Sequence, residues 1–162
     1  MEMKGKISYD DNYLNQSDFM YVHDYCNDAQ YSYGEADDEE LPPTGMIHEI
    51  GNNERIYDLF AQQLTQKCSF LEGMTLYRMY VNCFAPSENP YFHIDGEGIT
   101  FLYYPNLEWN LQDGGETQFY CDGNILGVAP VPNRLVMFDG EIVHRAVPFR
   151  DRHRFTVAIK YT

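Results

Sequence analysis

After Gly73 the chain changes texture, and that change restricts its fold more than any other feature of the sequence. The run MTLYRMYVNCF (74–84) is β-branched and aromatic, and short segments of similar character follow at 91–95, 99–104, 116–121, 126–129, 134–138, 142–147 and 154–161. Turn signals separate them: Ser87-Glu88-Asn89-Pro90, Asp113-Gly114-Gly115, Asp122-Gly123, Pro132-Asn133 and Asp139-Gly140. About eight short strands at this spacing must close on themselves as a sandwich or jelly roll.

The region before Gly73 has helical periodicity instead. A short strand opens it, and Ser17 is the expected N-cap of a first helix that carries Asp18 in its first turn and Phe19, Met20, Val22, Tyr25 and Cys26 at roughly helical spacing. A second helix is expected from about Asn53 to Cys68, with Ile56, Leu59, Phe60 and Leu64 as its apolar stripe. Between them, residues 29–45 (AQYSYGEADDEELPPTG) are acidic, turn-rich and broken by Pro42-Pro43, which makes a surface loop and a candidate lid. The expected fold class is therefore α+β. One domain of 162 residues has a helical and loop part (1–72) that supports a jelly-roll core (73–162).

The last strand reads most clearly. Phe155, Val157, Ile159 and Tyr161 make one apolar face, suited to pack on the helices, while Arg154, Thr156, Ala158 and Lys160 point the other way. From parity alone that second face fits a polar cavity or a solvated edge equally well.

Charge narrows the partners. There are 11 Lys and Arg against 25 Asp and Glu, a net −14, and residues 1–45 alone carry −9. A nucleic acid would be repelled by most of this surface. The stretch from Arg134 to Lys160 reverses the balance, with six bases and three acids, which suits an acidic small molecule. Cys26, Cys68, Cys83 and Cys121 show no zinc spacing and read as free thiols filling the core. The opening MEMKGKISYDD lacks an apolar leader, and no 18-residue apolar run follows, so a soluble cytoplasmic protein without membrane contact is expected.

The pair His93-Ile94-Asp95 puts an imidazole and a carboxylate on one side of an extended segment. With five histidines and 25 acids, one accidental His-x-acid match is about an even bet, so the surroundings must carry the weight. His144 follows 51 residues later and shares a strand face with Ile142 and Ala146; Arg154 comes ten residues after it, with Thr156 on the same face. Two imidazoles with one carboxylate is the donor set of non-haem iron sites that leave positions open. An arginine fork suits the far carboxylate of a dicarboxylate. His23, His48 and His153 lack an acid two residues on and are assigned surface or loop roles.

From about Tyr80 to the C-terminus the chain resembles the prolyl 4-hydroxylase-like group of 2-oxoglutarate/Fe(II)-dependent dioxygenases. The resemblance lies in HID at 93–95, YYPN at 103–106, GGETQF at 114–119, the V-P-N-R-L-V-M-F of 131–138, His144 and RFT at 154–156. It implies a double-stranded β-helix (jelly-roll) core, with His93, Asp95 and His144 as iron ligands and 2-oxoglutarate held by Arg154, Tyr104 and Thr156. Arg152 is a rival for the place of Arg154, and the site of a common family tyrosine holds Cys83 and Phe84. Gly114-Gly115 is read mainly as a turn, and Trp109 as packing for the loop 105–113. The implied reaction uses Fe(II), 2-oxoglutarate and O2, with ascorbate as a reductant, and hydroxylates a prolyl residue in a peptide or protein. The alternatives are an oxygenase acting on a free amino acid or other small molecule, and a non-catalytic metal-binding jelly-roll module.

Overall fold

The computed structural model describes residues 6–162; the first five residues of the expected N-terminal part lie outside the described residues. Among the described residues, ten strands form two sheets. The larger has the order β1-β8-β5-β10-β4-β3-β2, built from β1 (Ile7–Asp10), β2 (Ser32–Tyr33), β3 (Met46–Glu49), β4 (Leu76–Phe84), β5 (Ile99–Tyr103), β8 (Leu135–Asp139) and β10 (Arg154–Tyr161). The smaller has the order β7-β6-β9, from β6 (Thr117–Cys121), β7 (Asn124–Val128) and β9 (His144–Ala146). Every named pairing is antiparallel. This is the expected jelly-roll architecture, with the two sheets facing each other and not closed into a barrel.

Helices α1 (Gln16–Asp28) and α2 (Arg55–Lys67) cover the outer face of the large sheet. Phe19, Val22 and Cys26 of α1 and Ile56, Phe60 and Leu64 of α2 pack there against Met79, Val81, Phe101, Leu135, Val157 and Ile159. A second cluster fills the space between the sheets, with Tyr80, Leu102, Tyr104, Val136, Phe138 and Ala158 from the large sheet and Phe119 from the small one. Strand parity separates the two layers. On β10, Val157, Ile159 and Tyr161 face the helices, whereas Arg154, Thr156, Ala158 and Lys160 face inward and are all buried. The choice between a polar cavity and a solvated edge is thereby made in favour of the cavity.

Some local expectations are corrected. The cap of α1 is Asn15 and not Ser17, because the Asn15 side chain accepts the Asp18 amide at 2.9 Å and the helix starts two residues earlier than expected. Segment 91–95 is not a strand: after Pro90 it keeps a single antiparallel bridge, between His93 and His144, and then bends at Gly96 and Gly98, both at positive φ. Loop 29–45 contains the two-residue strand β2, and β3 just after it was not expected, since four residues are too few to show a period. The four cysteines are free, with Cys26 and Cys83 fully buried. Among the described residues no helix is long and apolar enough to cross a membrane.

Asn133 ties the N-terminal segment to the sheets. It is buried and adopts φ 61°, a left-handed conformation that asparagine tolerates. Its side-chain oxygen accepts the Leu14 amide (2.9 Å) and the Tyr103 hydroxyl (2.8 Å), and its Nδ2 donates to the Leu14 carbonyl (2.8 Å). Asn133→Ala strands buried donors and is expected to cost about 2 kcal/mol or more, measured by urea denaturation. A loss under half of that would mean water takes over the role of the amide.

Candidate metal centre and co-substrate cavity

His93 and Asp95 lie on the segment between β4 and β5, and His144 opens β9. Backbone bonds bring the three together. His93 and His144 exchange both amide hydrogen bonds (3.0 and 2.9 Å), and the Asp95 amide donates to the Gly140 carbonyl at 2.8 Å. Gly140 has no room for a side chain, since an added Cβ would press on the Gly96 carbonyl at 2.5 Å.

The side chains then converge. His93 Nε2 is 3.6 Å from Asp95 Oδ1, and His144 Nε2 is 3.6 Å from Asp95 Oδ2. One donor atom from each residue lies within 4.8 Å of the others. Each imidazole is oriented from behind: His93 Nδ1 sits 3.1 Å from the Tyr91 carbonyl and His144 Nδ1 2.8 Å from the Ile142 carbonyl. A carbonyl only accepts, so both Nδ1 atoms donate, and in the neutral rings both Nε2 lone pairs face the carboxylate. Lone pairs and a carboxylate aimed at one point repel each other unless a cation lies between them. The donor set and its support therefore fit a divalent ion of the iron type.

Asp95 is held as well. Thr100 Oγ1 donates to its Oδ2 at 2.7 Å, and Lys160 Nζ donates to its Oδ1 at 2.8 Å. Burial works to raise the pKa of Asp95, but the His93 ring, His144 and Lys160 outweigh it and hold the carboxyl below its usual range. Burial lowers His144 to about 4, which keeps that ring neutral. Burial also disfavours charge on His93, yet the carboxylates of Asp95 and Asp37 raise it overall.

A cavity runs from these residues between the sheets, past Tyr80, Asn82, Thr117 and Thr156, to Arg154. Arg154 is 1% exposed. Its Nε donates to the Gly115 carbonyl (2.8 Å) and an Nη to Thr117 Oγ1 (2.9 Å), with no carboxylate among its bonds. Burial accordingly lowers its proton affinity, although a guanidinium keeps its charge. A buried cation with spare donors at the end of a cavity is a receptor for a carboxylate. Thr156 is buried on the same wall. Tyr104 stands one step back: its hydroxyl shares a 2.6 Å hydrogen bond with Thr117, which in turn accepts from Arg154.

The other residues singled out in the sequence sort as follows. Arg152 lies outside the cavity, paired with Asp113 at 3.0 Å, so it does not compete with Arg154. Gly114 and Gly115 both take positive φ before β6, and a Cβ at Gly115 would collide with the Phe149 ring. Trp109 Nε1 donates to the Gly114 carbonyl at 2.8 Å and pins that turn. His153 is exposed and His23 bonds the Pro105 carbonyl. His48 lies half-buried on β3, 2.9 Å from the Tyr25 hydroxyl and, in an exposed bond, 2.9 Å from the Gln30 carbonyl. Sequence reasoning missed Asp37, Thr100, Thr117 and the contact of Lys160 with Asp95. Only Lys160 had left a signal, its place on the inward face of the last strand.

No family model matches the sequence, and no curated protein matches it. Solved structures do. A prolyl-4-hydroxylase of Pseudomonas putida superposes with a TM-score of 0.80 at 19% identity, over 96% of this chain and 91% of that one. A prolyl hydroxylase from Trichoplax adhaerens, solved in complex with a hypoxia inducible factor oxygen degradation domain peptide fragment, gives 0.76 at 22% identity, over 98% and 84%. A 2OG-Fe(II) oxygenase family oxidoreductase from Burkholderia pseudomallei gives 0.78 at 11% identity, over 98% and 86%. The chain has the fold of the 2-oxoglutarate- and Fe(II)-dependent oxygenases.

Proposed function

We propose that this chain is an Fe(II)- and 2-oxoglutarate-dependent dioxygenase that hydroxylates a prolyl residue in a peptide or protein. The observation that carries the reading is the joining, in one cavity, of the His93–Asp95–His144 cluster with the buried, carboxylate-free guanidinium of Arg154. His93, Asp95 and His144 would hold the iron. When bound, iron supplies the activation of O2 that couples decarboxylation of 2-oxoglutarate to succinate with hydroxylation of the substrate.

The protein's own share is binding, orientation and exclusion of water. Arg154 takes the distal carboxylate of 2-oxoglutarate, with Thr156 adding a hydroxyl and Tyr104 bracing Thr117 and, through it, the guanidinium. The Nδ1 bonds of both histidines and the two donors on Asp95 keep the ligands in register before any ion arrives. Phe119 and Phe138 pack around His144 and keep that side dry. Ascorbate would serve as the reductant that keeps the iron ferrous.

Two of the similar structures are prolyl hydroxylases, one of them bound to a peptide fragment, and this supports the choice of substrate. A free amino acid or other small molecule is the second reading, favoured by the strongly polar wall beside Asp95 formed by Glu35, Asp37, Arg78 and Lys160.

Purified protein supplied with Fe(II), ascorbate and 2-oxoglutarate is expected to form succinate, faster with a proline-containing peptide than without. His93→Ala should abolish it. Absence of succinate from iron-loaded wild-type protein across peptides and free amino acids would leave only the non-catalytic metal module. Arg154→Met removes the partner of a buried carboxylate and is expected to cost about 2 kcal/mol or more, a rise of roughly thirtyfold in KM for 2-oxoglutarate. An unchanged KM would place the co-substrate elsewhere. Independently of turnover, Mn(II) or Co(II) should raise the melting temperature of the wild type but not of His144→Ala.

A further inference from the structure

Two cavities meet at the metal cluster, and the mechanism above uses only one of them. The inward row of β10 orders them. Arg154, Thr156, Ala158 and Lys160 sit opposite Phe84, Asn82, Tyr80 and Arg78 of β4, and Lys160 is also opposite Thr100 of β5. Six residues of strand put Arg154 and Lys160 roughly 20 Å apart. The Arg154 end closes the co-substrate cavity. At the Lys160 end a second cavity, walled by Glu35, Asp37, Arg78, Tyr80 and Lys160, also reaches His93 and Asp95 and shares Glu35, Asp37 and Tyr80 with the first.

The charges of this second cavity do not cancel. Arg78 is held by Glu35 through two bonds of 2.7 Å and by Glu49 through its Nε at 2.9 Å. Lys160 is held by Asp95 at 2.8 Å. Asp37 is left over: its Oδ2 is fully buried with no hydrogen-bond donor. The nearest group able to carry positive charge is His93 Nδ1 at 3.6 Å, and that nitrogen already donates to the Tyr91 carbonyl. Buried acceptors are nearly always paired, so one without a partner beside a reactive centre marks where a ligand's donor belongs. Loop 29–45 supplies Asp37, and residues 1–45 carry −9 of a total −14, so the field over the mouth also draws in cations.

We propose that the second cavity receives the primary substrate, and that the substrate brings an ammonium or guanidinium group to Asp37, next to the carbon presented to the metal centre. The inference rests on the oxygenase reading and narrows it. The cation is either a basic side chain beside the target residue in a peptide or the side-chain amine of a free basic amino acid.

The test loads the protein with Mn(II) and 2-oxoglutarate without oxygen and measures binding by calorimetry. The probes are two acetylated peptides that differ only in Lys or Gln beside a proline, and free L-lysine against L-norleucine. The cationic member of at least one pair is expected to bind roughly tenfold tighter or more, and the pair that responds identifies the source of the cation. Asp37→Asn should erase the preference and Asp37→Glu retain it, with melting temperatures showing that both variants are folded. Equal binding within both pairs by the wild type, or no binding of any probe, overturns the proposal whether or not the variants fold. A preference that survives Asp37→Asn also overturns it. The iron-loaded wild type is assayed for succinate in parallel: its failure there removes the oxygenase reading, while the calorimetry still decides the role of Asp37.

Discussion

Strand β10 is hydrogen-bonded along both edges, to β4 and to β5, and covered on both faces, by the helices and by the small sheet. A strand confined on four sides cannot slip by one residue without sending Val157 and Ile159 into the polar cavity and Arg154 and Lys160 into the apolar core. Either exchange is prohibitive, since it would strip charges of their partners and expose apolar surface to polar groups. The apolar packing of one face thus sets the position of the charged groups on the other. Arg154, Thr156 and Lys160 owe their places in the cavity to residues they never touch.

The inner face is costly to build and is stabilised by pairing. Lys160 is compensated by Asp95, and Arg78 by Glu35 and Glu49. Two groups stay outside this scheme, the guanidinium of Arg154 and the carboxylate of Asp37. They carry opposite charge, and both line the cavity that holds the metal cluster. The simplest physical account is that each waits for a ligand group of the other sign, a carboxylate at Arg154 and a cation at Asp37. On that account the line from one end of the cavity system to the other is a sequence of charges to be met by two ligands arranged around one ion.

The acidic character of the chain enters here. An excess of carboxylates opposes compaction through self-repulsion, yet some of them are drawn into structure, such as Glu35 on Arg78 and Asp37 against the His93 side of the cavity. The 29–45 loop, which the sequence suggests as a lid, lines both cavities through Glu35 and Asp37.

Periodicity alone made the layers legible: the stripes of Phe19, Val22 and Cys26 and of Ile56, Phe60 and Leu64, and the two faces of 154–161, because side chains on helices and strands repeat at fixed angles. The spacing of His93, Asp95, His144 and Arg154 singled out four residues that the fold brings to one cavity, since each residue type has few chemical uses in that order. Contacts between segments distant in the chain were not legible. Nothing local predicts that Lys160 reaches Asp95, 65 residues away, that Thr100 holds the other carboxylate oxygen, or that Asp37 of an acidic loop lies half-buried against His93. Nor does the sequence reveal that 91–95 is held by a single bridge and not by a ladder. The sequence by itself determined which face of each element is apolar and which residue types are on hand for chemistry, because both are properties of short stretches of chain. Only the tertiary structure decided which charges meet and which are left without a partner, because that depends on how sheets and loops approach one another across the fold.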